Sequence, residues 1–551
     1  MSRLLPVSVI LFVLLSCPAF AQTVGWLQGF GDATGSTEID MMHRLPDGGV
    51  VIAGSFTGRT LTMGGFTLLN AGQSDAFVAY LDRNGNVLHA MSIGDAGVDY
   101  ASAVAADGEG NVYVGVCFES LTITLGGSVF LNRGERDAAL IKACPDGRVD
   151  WIWHVGTAGD DRISGLAVDN SGSVFAATHT QDTHPVQSNV TVSKFDAHKT
   201  LLWQRRAVSR EAAIRSLAVD SDGVCFIAGS MYYPLTFDDR YSLDGNYRAF
   251  LVSYTTDGEW RGGVTDSTFS SINALTIHGS AVYAAGENVQ SYFGWGWPNA
   301  DSKILLARYD GRLQKIWQCA AGGTEPMRSL DIVRDVQVGP DGSVYLAGSF
   351  HTPAIRFAGD SIRNEYNKPY FYTQAFVLVY DSTGREVRGA GFGGPLNDGA
   401  SSVVVMDDRY ILAGTFESDF LELESMSVIN TAPTREVYVH QCPARTGRDA
   451  RSFLARFSMR KTDRRPPVSP DAMVLYPNPV QHFLRVESGA AIGSLYTVSV
   501  HAMDGRTVLM RCGLHTGPPL LLDVSTLPPG IYVLAARYGP HTMSHRFVRG
   551  T

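Results

Sequence analysis

Beyond its first residues the sequence has no apolar run long enough to cross a bilayer, so it predicts no membrane-spanning helix in the mature chain. Charged residues are scarce, at 18%, and extended Ala/Glu/Lys patterns are missing, which leaves helix a minor role. The seven cysteines lie far apart, with no CxxC pair and no metal-ligand spacing. Cys117, Cys144, Cys225, Cys319, Cys442 and Cys512 therefore read as small buried hydrophobes, with a cross-strand Cys117–Cys144 bridge as the alternative. HExxH, GxSxG, P-loop and EF-hand signatures do not occur, so no metal and no cofactor is expected.

What the sequence does hold is turn and strand material, including 58 Gly, 26 Phe and 22 Tyr in 551 residues. Residues 1–21 read as a secretory signal: Arg3, an apolar stretch from Val7 to Leu15, then Ala19-Phe20-Ala21, with the mature chain beginning at Gln22. Lipidation at Cys17 is the alternative, which Leu15 and Pro18 fit poorly. Setting aside the signal and residues 470–551 leaves 38 basic and 50 acidic residues, so nucleic acid and anionic membrane surfaces are excluded as expected partners.

The stretch Pro340–Phe350, PDGSVYLAGSF, recurs seven times as a turn signal, an alternating apolar run and a closing small residue. The small residues are Gly54, Gly115, Ala177, Gly229, Gly286, Gly348 and Gly414, at spacings of 52 to 66 residues. That period signals a propeller or solenoid. Four strand signals per unit are expected, as in Ala101–Ala106, Val112–Phe118, Ala138–Ala143 and Val149–Val155. The last unit has no fourth strand, whereas Val24–Phe30 precedes the first unit as an orphan. One missing strand and one spare predict closure, which also removes exposed sheet edges. The expectation is an all-β, seven-bladed β-propeller over 22–458, its last blade completed by the N-terminal strand.

The units Asp75–Gly85 (DAFVAYLDRNG) and Asp341–Phe350 resemble the β-propeller repeats of secreted bacterial proteins, a likeness over about residues 24–457 that implies fold and little about function. A basic, Pro-rich linker, 459–472, leads to a small β-sandwich over 473–551. This segment resembles the C-terminal sorting domain of the type IX secretion system, on Leu475-Tyr-Pro-Asn-Pro479, Val498–Gly505 and Leu527–Val533. The residues carrying that likeness are Pro477, Asn478, Pro479, Gly505, Gly530 and Tyr532. The likeness implies a Bacteroidota-type cell, the secretion machinery as partner, and delivery to the cell surface or medium. The end, Arg546–Thr551, departs from the lysine-rich strand common in that family.

The Asp-Gly pairs at Asp47, Asp107, Asp146, Asp222, Asp257, Asp310 and Asp341 are expected in hairpin turns rather than in an ion site. Loop length varies at the end of the blades carrying the second-to-third and inter-blade connections, so function is expected on that face. Two connections there are aromatic. Tyr292, Phe293, Trp295 and Trp297 in blade 5, with Tyr366, Tyr370 and Tyr372 in blade 6, are the candidate ligand-binding residues. The insertion Thr431–Asp449 in blade 7 could border the same site.

A non-enzymatic binder or scaffold for a glycan or protein is the leading expectation. One alternative is a polysaccharide hydrolase or lyase using carboxylates at the channel mouth, with Asp99, Asp161 and Asp398 as candidates. A weaker variant, a quinone-dependent oxidoreductase, rests on Trp151, Trp153, Trp203 and Trp317. A purely structural surface or adhesion component is the third reading.

Overall fold

The structure, a computed structural model, describes residues 23–31, 35–183, 186–245, 247–292, 299–322, 331–357, 360–364, 372–407, 409–418, 420–423, 426–429, 434–437, 445–448, 451–458, 473–476, 483–488, 495–503, 506–514, 520–538 and 541–549. No helix occurs among them. The chain divides into two compact units, the larger comprising 24–423 and 427–458, the smaller built on 459–551.

The larger unit consists of four-stranded antiparallel sheets of the kind found in propellers. Sheet 1 is Thr37–Arg44, Val50–Phe56, Asp75–Leu81 and Val87–Ile93, and sheet 2 is Asp99–Ala106, Val112–Phe118, Asp137–Ala143 and Val149–Val155. Sheet 3 is Asp160–Val168, Val174–Thr183, Val186–Phe195 and Leu201–Ser209, and sheet 4 is Ala212–Val219, Cys225–Met231, Arg248–Tyr254 and Trp260–Asp266. Sheet 5 is Ser271–His278, Ala281–Tyr292, Asn299–Tyr309 and Lys315–Ala321, and sheet 6 is Ile332–Val338, Val344–Phe350, Gln374–Tyr380 and Glu386–Phe392. Sheet 7 takes Asp398–Val405, Arg409–Phe416 and Arg451–Ser458, and its fourth strand is the N-terminal Thr23–Phe30.

Most second and third strands are buried along nearly their whole length, as in Val112–Phe118 and Asp137–Ala143, because each sheet is covered on both faces by its neighbours. That is why they read as continuous apolar runs. The third strand of sheet 3, Val186–Phe195, escapes such a reading: Ser188, Asn189, Thr191, Ser193 and Lys194 interrupt it. Each first strand packs beside the first strand of the next sheet, and that of sheet 7 beside that of sheet 1. Side chains stitch these inner strands together. Leu275 N–H donates to Ser216 Oγ (3.0 Å), Asn273 Nδ2 to the Val333 carbonyl (3.2 Å), Ser402 Oγ to Asp335 (2.8 Å), and Ser401 Oγ to the Ile39 carbonyl.

Every first strand carries a one-residue bulge, and the repeated small residue, a glycine in six sheets and Ala177 in sheet 3, lies opposite it. Register shifts fall between Ile39 and Met41, Ala101 and Ala103, Ile163 and Gly165, Ile214 and Ser216, Ile272 and Ala274, Val333 and Asp335, and Ala400 and Ser402. A bulge tilts the carbonyl before it toward the paired strand. A Cβ on Gly54 would stand 1.8 Å from the Glu38 carbonyl oxygen, and one on Gly348 would stand 2.0 Å from that of Ile332. Gly229 and Gly286 face the Ala213 and Ser271 carbonyls in the same way, at 1.9 and 2.0 Å. Close backbone approach, not turn geometry, demands these glycines.

Fourth strands face outward and lean on the next sheet. Trp151 Nε1 donates to the Ala197 carbonyl (3.0 Å) and Trp203 Nε1 to the Thr256 carbonyl (2.9 Å), each in the third-to-fourth turn of the following sheet. Trp317 covers Gly384 equivalently. Trp153 packs on Phe195, with ring centroids 4.8 Å apart. The tryptophans that suggested a quinone site thus join neighbouring sheets.

The smaller unit pairs a three-stranded sheet (Met473–Tyr476, Phe483–Ser488, Leu520–Asp523) with a four-stranded one (Leu495–Ala502, Thr507–Leu514, Gly530–Tyr538, His541–Arg549). Leu484, Val486 and Leu522 from the first meet Val498, Val500, Leu534 and Phe547 from the second in one core. Tyr532, buried in that core, donates its hydroxyl to the Pro528 carbonyl (2.7 Å), fixing the turn before its strand. Gly530 opens the same strand, while Pro477, Asn478, Pro479 and Gly505 lie outside the described residues.

Candidate functional site

The Asp residues that recur at strand starts fall into two sets, neither free for chemistry. Those of the turns accept from nearby backbone: Asp107 takes the N–H groups of Glu109 (3.0 Å) and Asn111 (2.9 Å), and Asp310 those of Arg312 (2.9 Å) and Gln314 (2.8 Å). The residues between are left-handed, Gly110 at φ 84° and Leu313 at φ 64°. Among the described residues no cluster of His, Cys, Asp or Glu could hold a metal ion.

The second set ties the inter-sheet loops. Asp99, fully buried, accepts from the N–H groups of Asp95 (2.8 Å), Glu119 (3.2 Å) and Ser120 (3.3 Å) and from Ser120 Oγ (2.6 Å). Asp398 repeats this with Gly394 N–H (2.6 Å), Glu417 N–H (3.1 Å) and Ser418 Oγ (2.7 Å), and burial, partly offset by these bonds, pushes its carboxyl up to about 7. Asp161 takes Thr157 N–H (2.6 Å) and two threonine hydroxyls. Asp99, Asp161 and Asp398 are therefore loop anchors rather than exposed acids at a channel mouth. Cys117 and Cys144 are separate free thiols, Cys117 donating to Ser102 Oγ (3.4 Å).

Of the aromatic candidates, Phe293, Trp295, Trp297, Tyr366 and Tyr370 lie outside the described residues. Tyr292 ends the second strand of sheet 5, opposite Asn299. Tyr372 is half-buried, and its carbonyl accepts from Asn364 Nδ2 (2.8 Å) just before Thr373. The Thr431–Asp449 insertion contributes a hairpin, Thr434–Val437 with Arg445–Arg448, while Cys442 lies outside the described residues.

Thr373 leads to the site. A cavity of about 600 Å³ opens where the first strands of sheets 1, 6 and 7 meet, at the end bearing the inter-sheet loops. Its wall includes Glu38 and Asp40 from sheet 1, Arg334, Ser349 and Thr373 from sheet 6, and Asn397, Ser401, Thr415 and Glu417 from sheet 7. Asp40, Arg334 and Ser401 are the bulged residues of their strands. Solvent reaches more than a third of Asp40, which stands at the cavity wall. Burial, reinforced by the charge of Glu38 and opposed by Arg334, raises its carboxyl to about 7. Burial and Glu38 likewise raise Glu417, which accepts from Asn397 Nδ2 (3.0 Å).

Titratable groups on second strands feel the inner-strand arginines too. Glu287 is raised by burial and lowered by Arg334 and Arg215, the latter the bulged residue of sheet 4. His179 is lowered by burial and by Arg162.

Sequence reasoning missed Asp40, Arg334, Glu38 and Glu417. A signal was present. In the first strands of sheets 1, 4, 5 and 6 the large buried apolar residues stand three apart across the bulge, as Ile39 and Met42, Ile214 and Leu217, Ile272 and Leu275, and Val333 and Val336. A strand in strict alternation would bury residues two apart. The slip marks the residue thrown outward.

Residues 474–549 match the model of the secretion system C-terminal sorting domain. Type IX secretion therefore carries the chain to the cell surface or the medium. No curated protein matches the chain. Among solved structures, a protein of unknown function from Bacteroides caccae is 13% identical, covering 52% of this chain and 82% of its own, with a TM-score of 0.30. A Synechocystis apocarotenoid oxygenase is 10% identical over 72% of this chain and 88% of its own, with a TM-score of 0.33. A puromycin hydrolase is 12% identical over 58% of this chain and 59% of its own, with a TM-score of 0.22. Likeness at that level carries no functional argument.

Proposed function

We propose that the protein is an exported binding module: a closed seven-bladed β-propeller, its last blade completed by the N-terminal strand, that presents a ligand site on its loop-bearing face. The reading includes a signal peptide over 1–21, a linker over 459–472 and a Bacteroidota-type host. The observation that supports it is the cavity of about 600 Å³ walled by inner-strand bulges, a volume within the roughly 300–1,000 Å³ typical of ligand sites. The aromatic connections carrying Trp295, Trp297 and Tyr370 would extend the contact surface outward.

The test is a binding screen of the mature chain on glycan arrays and on surface-protein pulldowns. A specific ligand whose capture weakens when Trp295, Trp297 and Tyr370 are replaced by Ala supports an extended face. Absence of any ligand favours a structural surface component.

A hydrolase or lyase reading survives in altered form. It would rest on Asp40, with its carboxyl near 7 and Glu38 beside it, rather than on Asp99, Asp161 or Asp398. Turnover of polysaccharide substrates, abolished by Asp40→Asn, would establish it.

A further inference from the structure

Several buried carboxylates elsewhere in the sheets are spent on the fold. Asp335, enclosed between sheets 6 and 7, takes Ser402 Oγ (2.8 Å) and Val403 N–H (2.9 Å). Asp99 and Asp398 take four bonds each. Asp40 and Arg334 differ. Among the described residues neither makes a hydrogen bond, nor an ion pair within 4.0 Å, although they attract each other across the cavity. Both are presented by bulges, whose effect is to re-aim one side chain out of the pleat.

The hydrogen-bonding inventory of the wall narrows the ligand. Asp40, Glu38 and Glu417 accept when ionised, Arg334 only donates, the Asn397 amide and the hydroxyls of Ser349, Thr373 and Thr415 do both, and Asp398, also in the wall, is already taken by loop donors. An anionic ligand would meet the carboxylates, and an apolar one would leave every charge unpaired at a cost of kilocalories. A peptide would want an apolar anchor pocket. The one large aliphatic residue of the wall, Ile39, is fully buried and offers none. A ligand whose groups each donate and accept satisfies both ends at once.

We propose that the cavity binds one or two terminal sugar residues of a glycan, their hydroxyls bridging the Asp40 carboxylate and the Arg334 guanidinium. This rests on the reading of the protein as a binding module and names the ligand class of that same site. Vicinal hydroxyls donate to Asp40 and accept from Arg334. Ser349, Thr373 and Thr415 complete the shell. The ligand needs no net charge, because the wall supplies both signs.

The test uses the full mature chain on a glycan array, followed by ligand-observed NMR with the mono- and disaccharides that terminate the hits. Asp40→Asn and Arg334→Gln, both near-isosteric, are each expected to weaken binding tenfold or more, with melting temperatures close to wild type. Thr62→Ala, in the separate outer pocket beside Val87, is expected to bind like wild type. If either variant fails to fold, Ser349→Ala supplies the same comparison. Glycan binding undiminished in the cavity variants overturns the site while leaving the binding-module reading intact. Capture of peptides but no glycan overturns the sugar assignment alone. Binding of neither class sinks both.

Discussion

A buried carboxylate that accepts three bonds is worth more to this fold than one that faces a ligand. Replacing Asp99 by Ala orphans the N–H groups of Asp95 and Ser120 at the junction of sheets 1 and 2, while Glu119 N–H keeps the Val98 carbonyl (3.0 Å). The expected cost is about 3 kcal/mol, read as a lower denaturation midpoint with unchanged ligand binding. Asp40→Asn should behave in the opposite way, sparing stability and losing ligand. From sequence the two kinds of aspartate look alike. Asp99 and Asp398 stood out because they open alternating strands, whereas Asp40 was hidden inside one. What separates them is whether backbone donors converge on the side chain, and those donors come from loops some 20 residues away, such as Glu119 and Ser120.

At the level of the strand, regular elements were legible and irregular ones were not. Val87–Ile93, Val149–Val155 and Glu386–Phe392 stand where alternation puts them, and the orphan Val24–Phe30 joins sheet 7 as its strand count required. The bulges went unread because a slip of one residue in a strand of eight resembles noise until all seven are aligned. They can be tested through their glycines. Gly54→Ala puts a methyl group 1.8 Å from the Glu38 carbonyl, so the bulge must shift. A loss of about 2 kcal/mol is expected. Because Glu38 and Asp40 move with it, ligand affinity should fall as well. The same change at Gly286, across the inner strands in sheet 5, should cost stability and leave affinity nearly intact.

For the molecule as a whole, pH dependence follows from the balance of shifted carboxyls. Burial raises Asp40 and Asp398 to about 7, and Asp75 and Asp335 to about 6, from the usual 3.8. The native state therefore holds these protons more tightly than the unfolded chain, and stability declines as pH rises from about 4 to 7. Asp266 is shifted the other way: burial is outweighed by Lys315, Thr268 and Tyr309, so its contribution disappears as pH falls below about 4. Melting temperature should be higher at pH 5 than at pH 8, and Asp40→Asn should flatten that slope. Deleting residues 459–551 should leave the larger unit folded but hold it inside the outer membrane, which cell fractionation would register. The glycine-and-bulge pair has one more consequence. Each duplicated unit keeps its scaffold instruction on the second strand and its individual letter on the first. The letters run Asp40, Ser102, Ser164, Arg215, Asn273, Arg334 and Ser401. Where the letter makes no bond to a neighbouring sheet, as at Asp40 and Arg334, a unit can exchange it without renegotiating its fold, so repetition supplies sameness and single substitutions supply direction. An object assembled from near-equivalent parts thereby gains a compass bearing, one preferred orientation for whatever it meets.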